Sequence, residues 1–384
     1  MLTSNISFKV FKEKGKNLNL NKKLFFLLRE NNEVLKSLSK KYKDSFDSKQ
    51  FKKYKKNFNF RVIGMGGSIL GTKAIYEFLS EKIKKKFSFI DNLQPKKKIN
   101  KKKNTINLIV SKSGNTIETI VNANLLINKN DDNIFITENK KSYLYLLAEK
   151  LKSDIIHHNN FIGGRYSVLS EVGMLPAELM GLNPNKFRSL NDLVKNKKFI
   201  NTLISNVNSI IYFIKNKKYN SIIINYDKKS ESLFNWYQQL IAESLGKKKK
   251  GLLPIVSNMP KDNHSVMQLY LDGFKNNFFT FFYVKEKNSL KINDNEILLS
   301  QKYLKGKDID SIIYAQKKAT ENVFKKKKIP FRSFEIKKRD EKTLGELFCF
   351  FILETILIGK TLNLNPYDQP AVELIKKETK KLLI

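Results

Sequence analysis

Three times between residues 60 and 151, a short apolar run is followed by a stretch of helical length. FRVIGM (60–65) precedes SILGTKAIYEFLSEKI (68–83), INLIV (106–110) precedes TIETIVNANLLI (116–127), and NIFIT (133–137) precedes SYLYLLAEKL (142–151). Short apolar runs of this kind suit fully buried strands, and strands alternating with helices build a parallel sheet covered on both faces. The alternation weakens after FIGGRYSVLSEVGMLPAELMG (161–181), where a long polar helix is expected through about 190–218. It restarts with NSIIINY (220–226) and SLFNWYQQLIAESLG (232–246), then LLPIVS (252–257) and HSVMQLYLDGF (264–274). FFTFFYV (278–284), a helix at 308–324 and FRSFEI (331–336) follow, and helices at 341–361 and 368–382 close the chain. NKKLFFLLRENNEVLKSLSKKY (21–42) reads as one helix near the start. The pattern predicts an α/β fold of two doubly wound parallel-sheet domains. The expected division is a helical N-terminal segment (1–50), a first domain (51–190), a second domain (191–340) and C-terminal helices (341–384).

A chain of 384 residues that is 41% hydrophobic has the core to fill such a fold. Its one cysteine, Cys349, excludes an internal disulfide framework and suits a reducing compartment. The N-terminal MLTSNISFKVFKEKGKN lacks the apolar core of a signal peptide. LGELFCFFILETILIG (344–359) carries Glu346 and Glu354, is too short to span a bilayer, and reads as a buried helix. A cytoplasmic protein with no membrane partner is expected. The net charge of +37 is the one extreme. It fits either nucleic-acid or acidic-membrane binding, or a codon bias toward lysine, asparagine, isoleucine and phenylalanine. The lysine runs at 82–86, 96–98, 101–103, 247–250 and 325–328 are scattered between structured segments and form no single groove. They read as solvated faces, so no nucleic-acid partner is expected, although the field would attract an anionic substrate.

Ligands of open parallel sheets sit beyond the carboxyl ends of the strands, so the strand-to-helix turns carry the chemistry. In VIGMGGSILG (62–71), Gly64, Gly66 and Gly67 allow a sharp turn and close approach, and Ser68 opens the next helix. In SKSGNT (111–116), Ser111, Ser113 and Thr116 can donate to phosphate oxygens and Lys112 can supply charge. Each turn is also compatible with simple N-capping, by Ser68 in the first and by Asn115 or Thr116 in the second. Neither has the spacing of a dinucleotide fingerprint or a P-loop. The third turn, GGRYSVLS (163–170), places Arg165 beside glycines ahead of a helix, where it could stabilise an oxyanion or lie on the surface. In the second half, Gln239 and Glu243 share a helix face, His264 begins a helix, and Gln369 and Lys376 lie two turns apart. Taken singly, each of these is compatible with an ordinary surface or capping role.

GMGGSILG, SKSGNTIET, GGRYSVLSEVG, NWYQQLIAESLGK, DNHSVMQL and YDQPAVELIKK occur in that order. From about residue 60 to the C-terminus the chain thereby resembles the glucose-6-phosphate isomerase family, which has two sugar-isomerase (SIS) domains, each a parallel sheet flanked by helices. The resemblance implies interconversion of glucose 6-phosphate and fructose 6-phosphate without cofactor or metal. It implies that Ser68, Ser111, Lys112, Ser113 and Thr116 surround the phosphate and that Gly164 and Arg165 face the reacting end. Gln239 and Gln369 would contact substrate, Glu243 would be the base, and His264 and Lys376 would open and close the sugar ring. The C-terminal helices would complete the site, in a homodimer whose His264 crosses the interface. The family usually has glycine where Ile375 stands, and a bulky residue and glycine where Pro370 and Ala371 stand. The rival readings are a dual-specificity phosphoglucose/phosphomannose isomerase, a non-catalytic sugar-phosphate-binding SIS regulator and, more distantly, a basic nucleic-acid-binding protein.

Overall fold

The computed structural model describes residues 2–15, 19–95 and 104–384; the lysine runs 96–98 and 101–103 lie outside the described residues. Its strands are β1 (Ile6–Lys9), β2 (Asn59–Gly64), β3 (Lys86–Ile90), β4 (Thr105–Val110), β5 (Asn133–Thr137), β6 (Asp154–His157), β7 (Asn220–Asn225), β8 (Leu253–Asn258), β9 (Asn277–Val284) and β10 (Phe331–Ile336). Its first helices are α1 (Leu20–Arg29), α2 (Glu33–Ser37), α3 (Leu70–Phe78), α4 (Ile117–Leu126), α5 (Tyr143–Lys150), α6 (Glu171–Leu179) and α7 (Pro184–Phe187). The later ones are α8 (Leu190–Lys195), α9 (Lys197–Lys215), α10 (Glu231–Leu245), α11 (Met267–Asp272), α12 (Ile309–Lys326), α13 (Glu341–Thr361) and α14 (Val372–Leu382).

The strands form two sheets. The first, in the order β3-β2-β4-β5-β6, is parallel throughout. The second, β1-β10-β9-β7-β8, is parallel except for β1, which runs antiparallel to β10. In the first sheet the winding direction reverses between β2 and β4. A crevice opens at such a reversal, beyond the carboxyl ends of the strands. GMGGS leaves β2 there and SKSGNT leaves β4 beside it.

Alternation along the strands supplies both faces of each sheet. Ile63 and Ile109 pack with Ala123, Leu126, Leu144 and Ala148 of α4 and α5. Val62 and Leu108 point the other way, into a core that continues to Ile223, Phe282 and Phe334 of the second sheet. α3, α6, α10 and α13 fill that shared layer. α13 is buried on every side, as an all-round apolar helix must be. Ile222, Phe279 and Phe281 on the far face of the second sheet pack against α11 and α12. Among the described residues, no helix is long and apolar enough to cross a membrane.

One polar group in the shared core has a measurable consequence. Glu354 of α13 and Arg332 of β10 are both fully buried and paired with each other. Arg332 also donates to Thr280 (2.8 Å), and its second guanidinium nitrogen lies 3.3 Å from Glu354 Oε2. Removing one partner of a buried pair strands the other charge. Glu354→Ala is therefore expected to reduce unfolding free energy by about 3–5 kcal/mol, read from denaturant midpoints.

The structure departs from the sequence pattern in a consistent way. The helix expected over 21–42 is two, because Asn32 leaves helical geometry and its side chain accepts the Val34 amide at 2.8 Å. The helix expected over 190–218 breaks similarly at Asn196, whose side chain caps α9 by accepting from Lys198 and Phe199. β1, β3 and β6 do not stand out in the pattern. All three lie at sheet edges, where only part of a strand is buried and the apolar run is short or interrupted.

Candidate active site

The first glycine turn is the point on which the site is assembled. Gly66 has φ +52°, and a Cβ there would sit 2.8 Å from Gln239 Nε2. A Cβ on Gly67 would lie 2.1 Å from the carbonyl carbon of Gly164. Only glycine tolerates both the left-handed backbone and this backbone-to-backbone contact. The turn after β2 thus touches the GGR turn and the helix of the other sheet at once. Ser68 follows, half-buried, and does not cap α3.

In the second turn the hydroxyls do not cap α4. Thr116 occupies the N-cap position of α4 but makes no side-chain cap bond. Its hydroxyl pairs with that of buried Ser111 at 2.9 Å. Asn115 accepts the Tyr143 amide at 3.0 Å, and exposed Ser113 accepts the Asn115 amide at 3.3 Å. α4 begins at this turn, so its first N–H groups and the positive end of its dipole face the same space. Lys112 is turned sideways: its ammonium donates to the Asn160 carbonyl at 2.7 Å and lies 3.4 Å from Glu138.

Arg165, 2% exposed, has an acceptor for each of its five N–H groups. Nε donates to Ser244 (2.8 Å), and Nη2 to the carbonyls of Pro366 (2.7 Å) and Asp368 (3.0 Å). Nη1 donates to Gln369 Oε1 (2.7 Å) and to Glu243 Oε2 (3.3 Å). The other carboxylate oxygen of Glu243 receives Gln239 Nε2 at 2.9 Å. The Glu243 side chain is 24% exposed, so the carboxylate is held by a buried cation yet open to a ligand. Gln239 Oε1 is a buried acceptor without a hydrogen-bond partner among the described residues, available to a hydroxyl.

Gly164, Arg165, Gln239, Glu243 and Gln369 are therefore brought together, with the first glycine turn against them. Ser111, Ser113 and Thr116 cluster in the neighbouring turn. His264 and Lys376 are not drawn in. His264 is exposed after β8. Lys376 is exposed on α14, paired with Glu373 at 2.6 Å, and α14 has no buried residue. Sequence reasoning missed the residues that fix Arg165. Besides Ser244, the Trp236 indole donates to the Arg165 carbonyl (3.0 Å), and the Tyr166 hydroxyl contacts Ser244 (2.8 Å) and the Pro366 carbonyl (2.9 Å). Lys247 pins Asp368 at 2.7 Å and holds its carboxyl below the ordinary range. Ser244, Trp236, Tyr166 and Lys247 all lie inside the quoted motifs, at positions that gave no chemical signal of their own.

Comparison with known proteins bears on the family and the fold. The family described as phosphoglucose isomerase matches residues 27–383. A glucose-6-phosphate isomerase of Methanocaldococcus jannaschii is 34% identical over 342 residues, covering 83% of this chain and 82% of that one. One from Campylobacter jejuni is 31% identical over 355 residues, covering 87% of each. Among solved structures, a hypothetical protein from Thermus thermophilus superposes with a TM-score of 0.81 at 22% identity, covering 95% of this chain and 94% of that one. A glucose-6-phosphate isomerase from Chlamydia trachomatis superposes with a TM-score of 0.71 at 16% identity, covering 95% and 83%. With its two sheets, its glycine turns and a match over nearly its whole length, this chain belongs to the phosphoglucose isomerase family.

Proposed function

We propose that the chain is a cytoplasmic, cofactor-free aldose–ketose isomerase that interconverts D-glucose 6-phosphate and D-fructose 6-phosphate through an enediolate. The observation that carries this reading is the contact of Glu243 with Arg165. It sets an accessible carboxylate on one sheet's helix against a buried guanidinium delivered by the other sheet's turn.

The phosphate is read into the second turn, where Ser111, Ser113, Thr116 and the start of α4 offer donors, with Ser68 beside them. Holding this inert end positions the other. Glu243 takes the proton from C2. The C2–H electron pair becomes the C1–C2 double bond, and charge moves to the oxygen at C1. A proton shift between the two oxygens and return of the Glu243 proton to C1 gives the ketose. Arg165 stabilises the oxyanion as a fixed cation. Because all five of its donors have acceptors, the incoming oxygen takes the place of Gln369 or Glu243 on Nη1. Ring opening needs a proton donor and acceptor, assigned here to His264 and Lys376. His264 is exposed and not held at its own Glu243, which suits delivery from a second copy in a homodimer.

A coupled assay with fructose 6-phosphate and mannose 6-phosphate in parallel tests the reading. Turnover of fructose 6-phosphate with little of mannose 6-phosphate is expected. Comparable turnover of both would reassign the chain as dual-specificity, and turnover of neither would leave a sugar-phosphate-binding regulator.

A further inference from the structure

Between β6 and Arg165 the chain makes a short loop, residues 158–164, and the side chain that closes it is a buried histidine. His158 is 2% exposed. Its Nε2 lies 3.0 Å from the Ile162 carbonyl, four residues on, and its Nδ1 lies 2.9 Å from Glu171 Oε1. A carbonyl only accepts, so Nε2 carries a hydrogen. Glu171, fully buried at the start of α6, also accepts from the Asn159 amide at 2.6 Å and from the Tyr42 hydroxyl at 3.0 Å. Burial alone would raise its pKa, but the hydrogen bond and charge of His158, with the Asn159 amide, hold it below the ordinary glutamate range. On the loop's outer side, Lys112 of the second turn donates to the Asn160 carbonyl. One loop is thus tied to the helix behind it, to the proposed phosphate turn and, through Gly163 and Gly164, to the guanidinium at the reacting end.

We propose that His158 is a positioning residue: pinned by Glu171, it fixes the loop that delivers Arg165 to the reacting oxygen. The inference rests on the proposed role of Arg165. The bonds to Ser244, Pro366 and Asp368 define where the guanidinium head lies, and the loop defines where its backbone starts; a shift of either moves the cation relative to Glu243. Misplacement on the scale of 1 Å can cost roughly 10²-fold in rate without removing any group that touches substrate.

The test is a double-mutant cycle on the full-length enzyme with fructose 6-phosphate, using His158→Leu, Arg165→Ala and both together, with thermal unfolding followed in parallel. The expected result is that His158→Leu lowers kcat by about 10- to 10²-fold with KM little changed. Adding it to Arg165→Ala is expected to lower kcat no further, since a residue acting through another has nothing left to act on. His158→Gln, which can still donate to the Ile162 carbonyl, is expected to recover part of the rate. Additive losses, or an unchanged kcat in His158→Leu beside a large loss in Arg165→Ala, would overturn the inference alone. An unchanged kcat in Arg165→Ala would overturn the role given to the arginine and this inference with it. If His158→Leu does not accumulate folded, His158→Phe, which keeps a planar ring but has neither nitrogen, is read in the same cycle with the same two outcomes.

Discussion

Glu243→Gln is expected to lose roughly 10²–10⁴-fold in turnover while still binding sugar phosphate. Glutamine keeps the size and planarity of the side chain, and its one amide oxygen still accepts from Arg165, while its NH2 is matched once Gln239 turns its own unpartnered amide oxygen toward it. It removes the one property the reaction needs, a carboxylate that accepts a proton from carbon and gives it back. The proposed phosphate turn is separate and untouched, so KM should change far less than kcat. Steady-state kinetics in a coupled assay measure both, and exchange of the carbon-bound proton with solvent offers a second readout that should fall in step. A variant turning over at the wild-type rate would remove Glu243 as the base.

How much of this could be read from the residues depends on where their partners lie. β2, β4, β5, β7 and β9 are legible because burial on both faces leaves largely apolar runs. β1, β3 and β6 are obscure because each lies at a sheet edge, is only partly buried and so carries a short or interrupted apolar run. The turns were visible through their glycines, yet why Gly67 must be glycine became clear only once Gly164 lay against it. His158, adjacent to His157, has no role legible in the sequence, since nothing near it reveals a carboxylate thirteen residues on. The last helix is the converse case. Its motif fixes Gln369, which reaches Arg165, but six residues later Ile375 stands where the family has glycine, and it is 70% exposed beside Leu374 at 67%. An amphipathic helix with no buried residue lacks the packing that would set the direction of Lys376.

Replacing Arg165 should be nearly as damaging as replacing the base, for a different reason. A donor aimed at developing negative charge is worth about 10²–10³ in kcat when removed, and Arg165 is buried, where such a charge is least screened. Arg165→Ala is therefore expected to lose at least that factor. Arg165→Lys should recover only part of it, because an ammonium cannot serve Ser244, Pro366, Asp368 and Gln369 from one rigid fork. The two effects of the residue can be separated. Its bonds to the Pro366 and Asp368 carbonyls hold the 366–369 segment, so losing them loosens Gln369 and raises KM somewhat. The proposed bond to the developing oxyanion is strongest in the transition state, so losing it should lower kcat. A planar anionic mimic of the enediolate carrying the same phosphate distinguishes them. Its affinity should fall by the same factor as kcat/KM across wild type, Arg165→Lys and Arg165→Ala, whereas substrate affinity should fall much less. If the mimic and the substrate lose affinity equally, Arg165 holds the sugar and the 366–369 segment in place without favouring the enediolate, and the oxyanion must be stabilised by another donor.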